Sequence, residues 1–499
     1  MKCILLFPAW NPYETFSKHT AESQVNIWPP LGILYIAGNL IRAGHSVKVI
    51  DGSFNTNDDI IQQVKDFQPD FVGISSTTYA WKSALQTAKD IKALNSNIHI
   101  TVGGAYAIAQ REKAFKDDMA IYIDSLCYTE GEYVTLQILN RLENKTNLSN
   151  VLGTIFRDED GRIITNPPSP PIENLDDIPF PPRFLLGNLN KYVSPPGTYK
   201  RLPMTTMFTS RGCSNLCIYC FQIYRDRHIR YRSPENVVSE IEECINKYGI
   251  KEIKFLDDQF AGDYSRVEKI CDLMIEKKLD ITWYASIIAG SVDLPLLKKM
   301  KRAGCWAILI GAETGVQKNL DTIQKNVTLQ QIEQTVKWVK QAKIKPYTPF
   351  MFGIPGETYE DGLKTIKFAC KLNPNYVDFN ALTPFPGTTI YNNYTKYGTI
   401  AEDSNDYTFQ HVAFVPYTMT KEQIIKLRQI AFKRFYSRPN YILKKLFEVR
   451  SIYDIKALLK GGISLFWIWA GRNIFDPDEM KRKETRRITN RRDIKKYID

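Results

Sequence analysis

At 499 residues the chain is too long for one ordinary core, so about two or three domains are expected. Its 43% hydrophobic and 24% charged residues exclude an intrinsically disordered or membrane-embedded chain. The formal charge of +12 would suggest a nucleic-acid partner were it spread over a face, but much of the surplus lies in the tail from Lys481 to Asp499. Such a run is ordinarily a solvated end, and no nucleic acid is expected as a partner.

The opening MKCILLFPAW reads directly into a strand, without a charged-then-apolar leader, so export is not expected. Nine scattered cysteines lack the density of a disulfide scaffold and fit a reducing, cytoplasmic setting.

Residues 1–148 alternate short apolar strands with amphipathic helical stretches: CILLFPAW, LGILYIAGNLIRAG, SVKVIDG, DDIIQQVKDF, FVGISSTTYAW, IHITVGGAYA and EYVTLQILNRL. This pattern predicts a parallel, Rossmann-like sheet covered by helices, with ligands at the carboxyl ends of its strands. The loops at 8–30, 75–79, 103–106 and 130–132 are therefore the candidates. Residues 149–200 predict a hairpin turning at Asp160 and Gly161, followed by a proline-dense connector.

From 201 to 400 six strand segments recur between helices: MTTMFTS, EIKFLDD, ITWYASII, WAILIGAE, PYTPFMFGI and VDFNALTPF. Ser233 before Pro234 predicts a helix start, as does Thr328 with Gln331. Six units are fewer than the eight of a closed barrel, so an open, partial (β/α)6 barrel of the TIM type is expected, with its active site at the carboxyl ends of the strands. Residues 401–499 read as mainly helical, ending in the basic tail. The patch ISLFWIWA (463–470) is far shorter than the roughly 20 residues of a spanning helix. Peripheral membrane contact through this C-terminal region is the most it allows.

The segment SRGCSNLCIYCF (210–221) places Cys213, Cys217 and Cys220 in one tight loop after the first barrel strand. Thiolates suit zinc or an iron–sulfur cluster. Zinc would need a fourth ligand, for which His228 and Cys244 are the nearest candidates; a [4Fe-4S] cluster on three cysteines leaves one iron open.

The C-x3-C-x2-C spacing, with Tyr219 before the last cysteine, resembles the radical S-adenosylmethionine (SAM) superfamily. That resemblance implies SAM chelated at the open iron and split to a 5'-deoxyadenosyl radical. It further implies SAM contacts at Tyr219, at Asp257 and Asp258 in FLDDQF, at Glu313 in LIGAETG, at Gly353, Pro355 and Gly356 in MFGIPGET, and at Pro386 in TPFPGT. Solvated aspartates beside a helix capped by Asp263 are the simpler alternative at 257–258.

In the first domain PAWNPYETF lacks the glycines of a dinucleotide site. The order PPLGILYIAGNLIRAGHSVKVID, GISSTTYAW, VGGAYA, TEGE is similar to cobalamin-binding domains. By that resemblance Ser75, Thr77, Thr78, Gly103, Gly104, Glu130 and Gly131 contact the corrinoid. The motif D-x-H-x-x-G is absent, since Ser17 and Glu22 flank His19 where Asp and Gly would stand. A base-off cobalamin without a histidine ligand is therefore implied.

Together these features resemble cobalamin-dependent radical SAM enzymes. The implied activity is methylation of an unactivated carbon, or phosphorus, of a small molecule. An apolar or lipid-like substrate suits the aromatic content, and flavodoxin or ferredoxin would donate the electron. The alternatives are a radical ring-forming or ring-contracting enzyme without net methylation, of the tetrapyrrole cyclase or hopanoid type, and a non-catalytic corrinoid and iron–sulfur sensor.

Overall fold

The computed structural model describes residues 1–10, 27–194, 198–401, 407 and 411–447. His19, the 463–470 patch and the basic tail lie outside them.

The first sheet has the order β2-β1-β3-β4-β5-β6-β7. Its strands β1 (Lys2–Phe7), β2 (Ser46–Asp51), β3 (Phe71–Ser75), β4 (His99–Gly103) and β5 (Ser125–Cys127) run parallel. Helices α1 (Leu31–Arg42), α2 (Asn57–Phe67), α3 (Trp81–Leu94), α4 (Ala105–Gln110) and α5 (Gly131–Glu143) connect them. Ile4, Leu6, Val72, Ile74, Ile100 and Val102 are buried on one face against α3, while Cys3, Leu5 and Phe71 pack with α1 and α5 on the other. Both faces are covered, as parallel strands require.

The expected hairpin forms from β6 (Thr154–Arg157) and β7 (Ile163–Thr165), turning where Asp158 accepts from the amides of Asp160 and Arg162. It pairs antiparallel with β5, so this stretch is the sheet's edge as well as the start of the connector.

The second sheet is parallel throughout, in the order β15-β14-β13-β12-β11-β8. Its strands are β8 (Met204–Met207), β11 (Glu252–Phe255), β12 (Thr282–Ile287), β13 (Cys305–Ile310), β14 (Lys345–Phe352) and β15 (Tyr376–Ala381). β8 and β15 do not pair with each other, so this is the open, partial barrel expected. A two-residue ladder, β9 (Ser210–Arg211) with β10 (Arg230–Tyr231), brackets the cysteine loop.

Helix α6 (Pro234–Tyr248) starts where Ser233 accepts from the Asn236 amide and stops at Gly249 in the left-handed conformation. Helices α7 (Tyr264–Glu276), α8 (Leu294–Arg302), α9 (Gln317–Thr322), α10 (Leu329–Gln341) and α11 (Tyr359–Leu372) complete the units. Thr328 and Gln331 close the capping box of α10. After β15 come α12 (Thr389–Asn392), the hairpin β16 (Gly398–Ile400) with β17 (Phe414–Pro416), and helices α13 (Lys421–Tyr436) and α14 (Pro439–Phe447). Ile424, Leu427, Ala431 and Phe435 of α13 are buried in the barrel's core cluster.

Candidate active site

The three cysteines sit in a loop whose backbone is held from several sides. The Arg225 guanidinium donates to the carbonyls of Cys220 and Leu216, at 3.1 and 3.0 Å. The Ile218 amide donates to Ile323 and the Ile390 amide to Ile218, which ties the loop to the ends of barrel units four and six. Asp257 is buried and accepts from the Thr209 amide at 2.7 Å, from Ser210 Oγ at 2.8 Å, and from Thr209 Oγ1. Its carboxylate is thereby committed to the entry of the loop. Asp258, its neighbour, is exposed and close enough to Cys213 and Cys220 to oppose their ionisation.

All nine cysteines are free thiols. Burial pushes the Cys220 thiol up to about 12, and Asp258, Cys217 and Cys213 push the same way. Thiols so crowded ionise together only when a cationic centre binds them, which fits the cluster the loop implies. The zinc alternative fares worse. Cys244 is fully buried in α6, and His228 Nε2 lies 3.4 Å from Glu173 Oε2.

A glutamate among apolar residues is costly unless paired, and Lys325 pairs with Glu313: Nζ donates to Oε1 at 2.6 Å in a buried pair. The Glu313 carboxylate adds to burial in pushing the Tyr219 hydroxyl up, and Lys325 acts electrostatically on Cys217 and Cys220. Glu313 has φ of 61°, an uncommon conformation for a residue with a side chain. A Cβ at Gly311 would stand 2.4 Å from Glu313 Oε1 and 2.6 Å from Lys325 Nζ, so only glycine lets this pair cross the strand end. Gly353 and Gly356 both have positive φ, and the amides of Gly353 and Ile354 donate to Glu357 Oε2 at 2.7 and 3.2 Å. Pro355 and Pro386 are buried in their loops. Gly387 comes so near Phe221 that a Cβ there would lie 2.8 Å from the ring, which seats the sixth unit's loop against the cysteine segment.

A cavity of about 330 Å³ lies where the two sheets' strand ends meet. Ser75, Gly103, Gly104, Glu130 and Gly131 line it from the first sheet, and Phe208, Ser210, Gly212 and Asp258 from the barrel. Thr77 and Thr78 do not line it. A Cβ at Gly32 would meet nothing within 4 Å, and one at Gly103 nothing nearer than 3.6 Å, so these glycines leave space along the wall. Gly104 differs: its Cβ would strike the Ser76 backbone at 2.7 Å, and its small size serves the chain's own packing.

Glu130 is part of the wall, but its carboxylate is already fully engaged. Oε1 accepts from Arg211 and Arg230 at 2.9 Å each, and Oε2 from Arg230 and the Ile172 amide at 2.8 Å each. Burial opposes its charge, yet the two arginines and the amide hold the carboxyl below its ordinary range. Arg211 also reaches Glu132. Sequence reasoning missed this seam, and Lys325 with it.

Residues 20–139 match the B12 binding domain and residues 207–369 the Radical SAM superfamily. An uncharacterized methyltransferase of Pyrococcus horikoshii is 33% identical over 481 residues, covering 94% of this chain and 99% of its own. The chain belongs to the B12-binding radical SAM enzymes. An anaerobic magnesium-protoporphyrin IX monomethyl ester cyclase of Rubrivivax gelatinosus is 26% identical over 460 residues, covering 89% of this chain and 81% of its own. The cobalamin-dependent S-adenosylmethionine radical enzyme OxsB, solved with aqua-cobalamin and S-adenosylmethionine bound, shares the fold with a TM-score of 0.73 at 19% identity. That match covers 94% of this chain and 72% of OxsB. No helix among the described residues is long and apolar enough to cross a membrane.

Proposed function

We propose that this enzyme methylates an unactivated carbon, or phosphorus, of a small molecule, using a [4Fe-4S] cluster, SAM and cobalamin. The observation that carries the reading is the shared cavity. Its walls come from the small-residue strand ends of the B12-binding sheet and from the barrel strand ends beside the cysteines, so two large cofactors could face one substrate there.

Cys213, Cys217 and Cys220 would hold the cluster. Tyr219, Asp258, the Glu313–Lys325 pair and the loop at 353–356 would receive SAM, and the wall formed by Gly32, Ser75, Gly103, Gly104 and Gly131 would receive cobalamin. When bound, these groups supply electron transfer to the sulfonium, hydrogen abstraction and the methyl group. The chain's own part is to position and to exclude water. Asp257 fixes the approach to the cysteine loop, Glu357 shapes the 353–356 backbone, and the Glu130 seam closes the two halves. His228 lines the cavity but its ring lies 3.4 Å from Glu173, which is in keeping with a cobalamin that takes no histidine ligand; we read that cobalamin as base-off. A flavodoxin or ferredoxin would supply the electron.

The test is anaerobic reconstitution with SAM carrying an isotopic label in its methyl group, offered a small-molecule extract. Release of 5'-deoxyadenosine together with label in a product is expected. 5'-Deoxyadenosine without labelled product would point to ring-forming chemistry instead, and neither product would overturn the enzymatic reading.

A further inference from the structure

One cation in the barrel interior has no assigned work. In β11 the side chains of Ile253 and Phe255 join the main core, so Lys254 between them turns to the opposite, inner face. Its register partner in β8 is Thr206, and the next in β12 is Tyr284. Tyr284 belongs to a small separate cluster with Trp306 and Ala307, on which Tyr376 of β15 also packs. Residues from five strands therefore mark one lumen.

The ammonium of Lys254 stands 3.6 Å from the Trp28 ring centroid and 5.1 Å from that of Tyr284. Trp28 comes from the B12-binding half and is fixed by its indole N–H, which donates to Ser194 Oγ at 2.6 Å. Lys254 thus touches the first half from inside the barrel, four residues before Asp258 of the strand-end cavity, whose wall it does not itself form. Among the described residues it has neither a hydrogen bond nor an ion pair. Beside it, Thr206 Oγ1 is buried without a hydrogen-bond partner. A buried hydroxyl and a half-buried amine left unmatched on one face are costly unless something else satisfies them. Burial pushes the amine down to about 7, so its charged form is disfavoured there until an anion stands beside it. Nearby Glu252 does not serve, since it accepts from the Lys200 and Arg201 amides, Thr282 and Trp306.

We propose that Lys254, flanked by Trp28 and Tyr284, anchors an anionic group of the substrate, a carboxylate or a phosphate ester. The rings would cover the apolar part next to that group, and Thr206 would donate a second hydrogen bond. This names the substrate class for the reaction proposed above and rests on that reading. An anionic group of this kind adds to the apolar or lipid-like substrate that suits the aromatic content, since such a molecule can carry a charged end.

The test is trace acetylation of the full-length chain with acetic anhydride, reading the Lys254 peptide against an exposed lysine by mass spectrometry. Three probes are added separately: phenyl phosphate, phenylacetate and neutral benzyl alcohol. At saturation one anion should slow Lys254 labelling by about fivefold or more, while benzyl alcohol should not. The anion that protects distinguishes phosphate from carboxylate. Equal labelling with all three probes, equal protection by benzyl alcohol, or no labelling of Lys254 in the free chain would each overturn the proposal. The readout needs no cluster and no turnover, so failure to cleave SAM would count against the proposed function alone.

Discussion

The two parallel sheets make their strand ends useful in opposite ways. The first sheet offers room: Gly32, Gly103 and Gly131 line its side of the cavity, and its carboxylates Glu130 and Glu132 are spent on arginines of the other half. The barrel offers grip, with three thiols, the Glu313–Lys325 pair and two buried carboxylates packed into successive loops. A sheet that must admit a large flat ligand minimises side chains, whereas one that must fix reacting groups accumulates them and ties each down. Mutations should therefore separate the two regions cleanly.

The largest effect is expected from Cys217→Ala. Removing one of three soft ligands should abolish iron and sulfide incorporation and 5'-deoxyadenosine release, while cobalamin uptake stays near wild type. Parallel iron, sulfide and cobalt analysis checks this, and equal loss of cobalt would break the separation of room from grip. Next comes the seam. Glu130→Gln leaves Arg211 and Arg230 buried with their shared charge gone, a change that costs about 3–5 kcal/mol in comparable buried pairs. Urea denaturation would read it, and a loss confined to less than about 1 kcal/mol would mean that the seam is solvated in solution.

A third test concerns the barrel alone. Burial pushes the Glu357 carboxyl up to about 8, against the amides of Gly353 and Ile354 that favour its charge. The native state then keeps a proton that the unfolded chain releases near pH 4.3, so the native state binds more protons across that window. Its stability contribution is present below the unfolded value and is lost as pH rises towards about 8, by at most roughly 1.4 kcal/mol per pH unit. Glu357→Gln keeps an acceptor oxygen and should flatten that slope relative to wild type. Denaturation midpoints at about pH 5 and about pH 8 measure the difference.

What could be read in the chain was what is local in it. The cysteine loop, the Ser233 and Thr328 caps and the hairpin at Asp160 and Gly161 each depend on residues within a few positions, and pattern reaches that far. The Glu313–Lys325 pair spans 12 residues and the Glu130–Arg230 pair 100. Nothing near Glu130 announces that its carboxylate will be claimed by arginines, so its reading as a corrinoid contact rested on motif order alone. Asp257 and Asp258 teach the same lesson at closer range. Adjacent in sequence, they part at the strand end, and only the fold decides that one is buried in the loop's entry and the other faces the cysteines.

The smallest expected effect tests the first sheet's side of the contrast, and its two readouts should move in opposite directions. Gly32 lies in the first turn of α1, where a Cβ would touch nothing. Gly32→Leu therefore meets no clash, and it exchanges a poor helix former for a good one, which favours folding by up to about 1 kcal/mol. If this wall leaves space for cobalamin, the added side chain takes that space, and binding should weaken roughly tenfold, about 1.4 kcal/mol. Thermal unfolding of the apo chain reads the first quantity and cobalamin titration the second. A variant that is both more stable and undiminished in cobalamin binding would show that the glycine at 32 is an accident of turn chemistry and that the corrinoid lies elsewhere along the sheet.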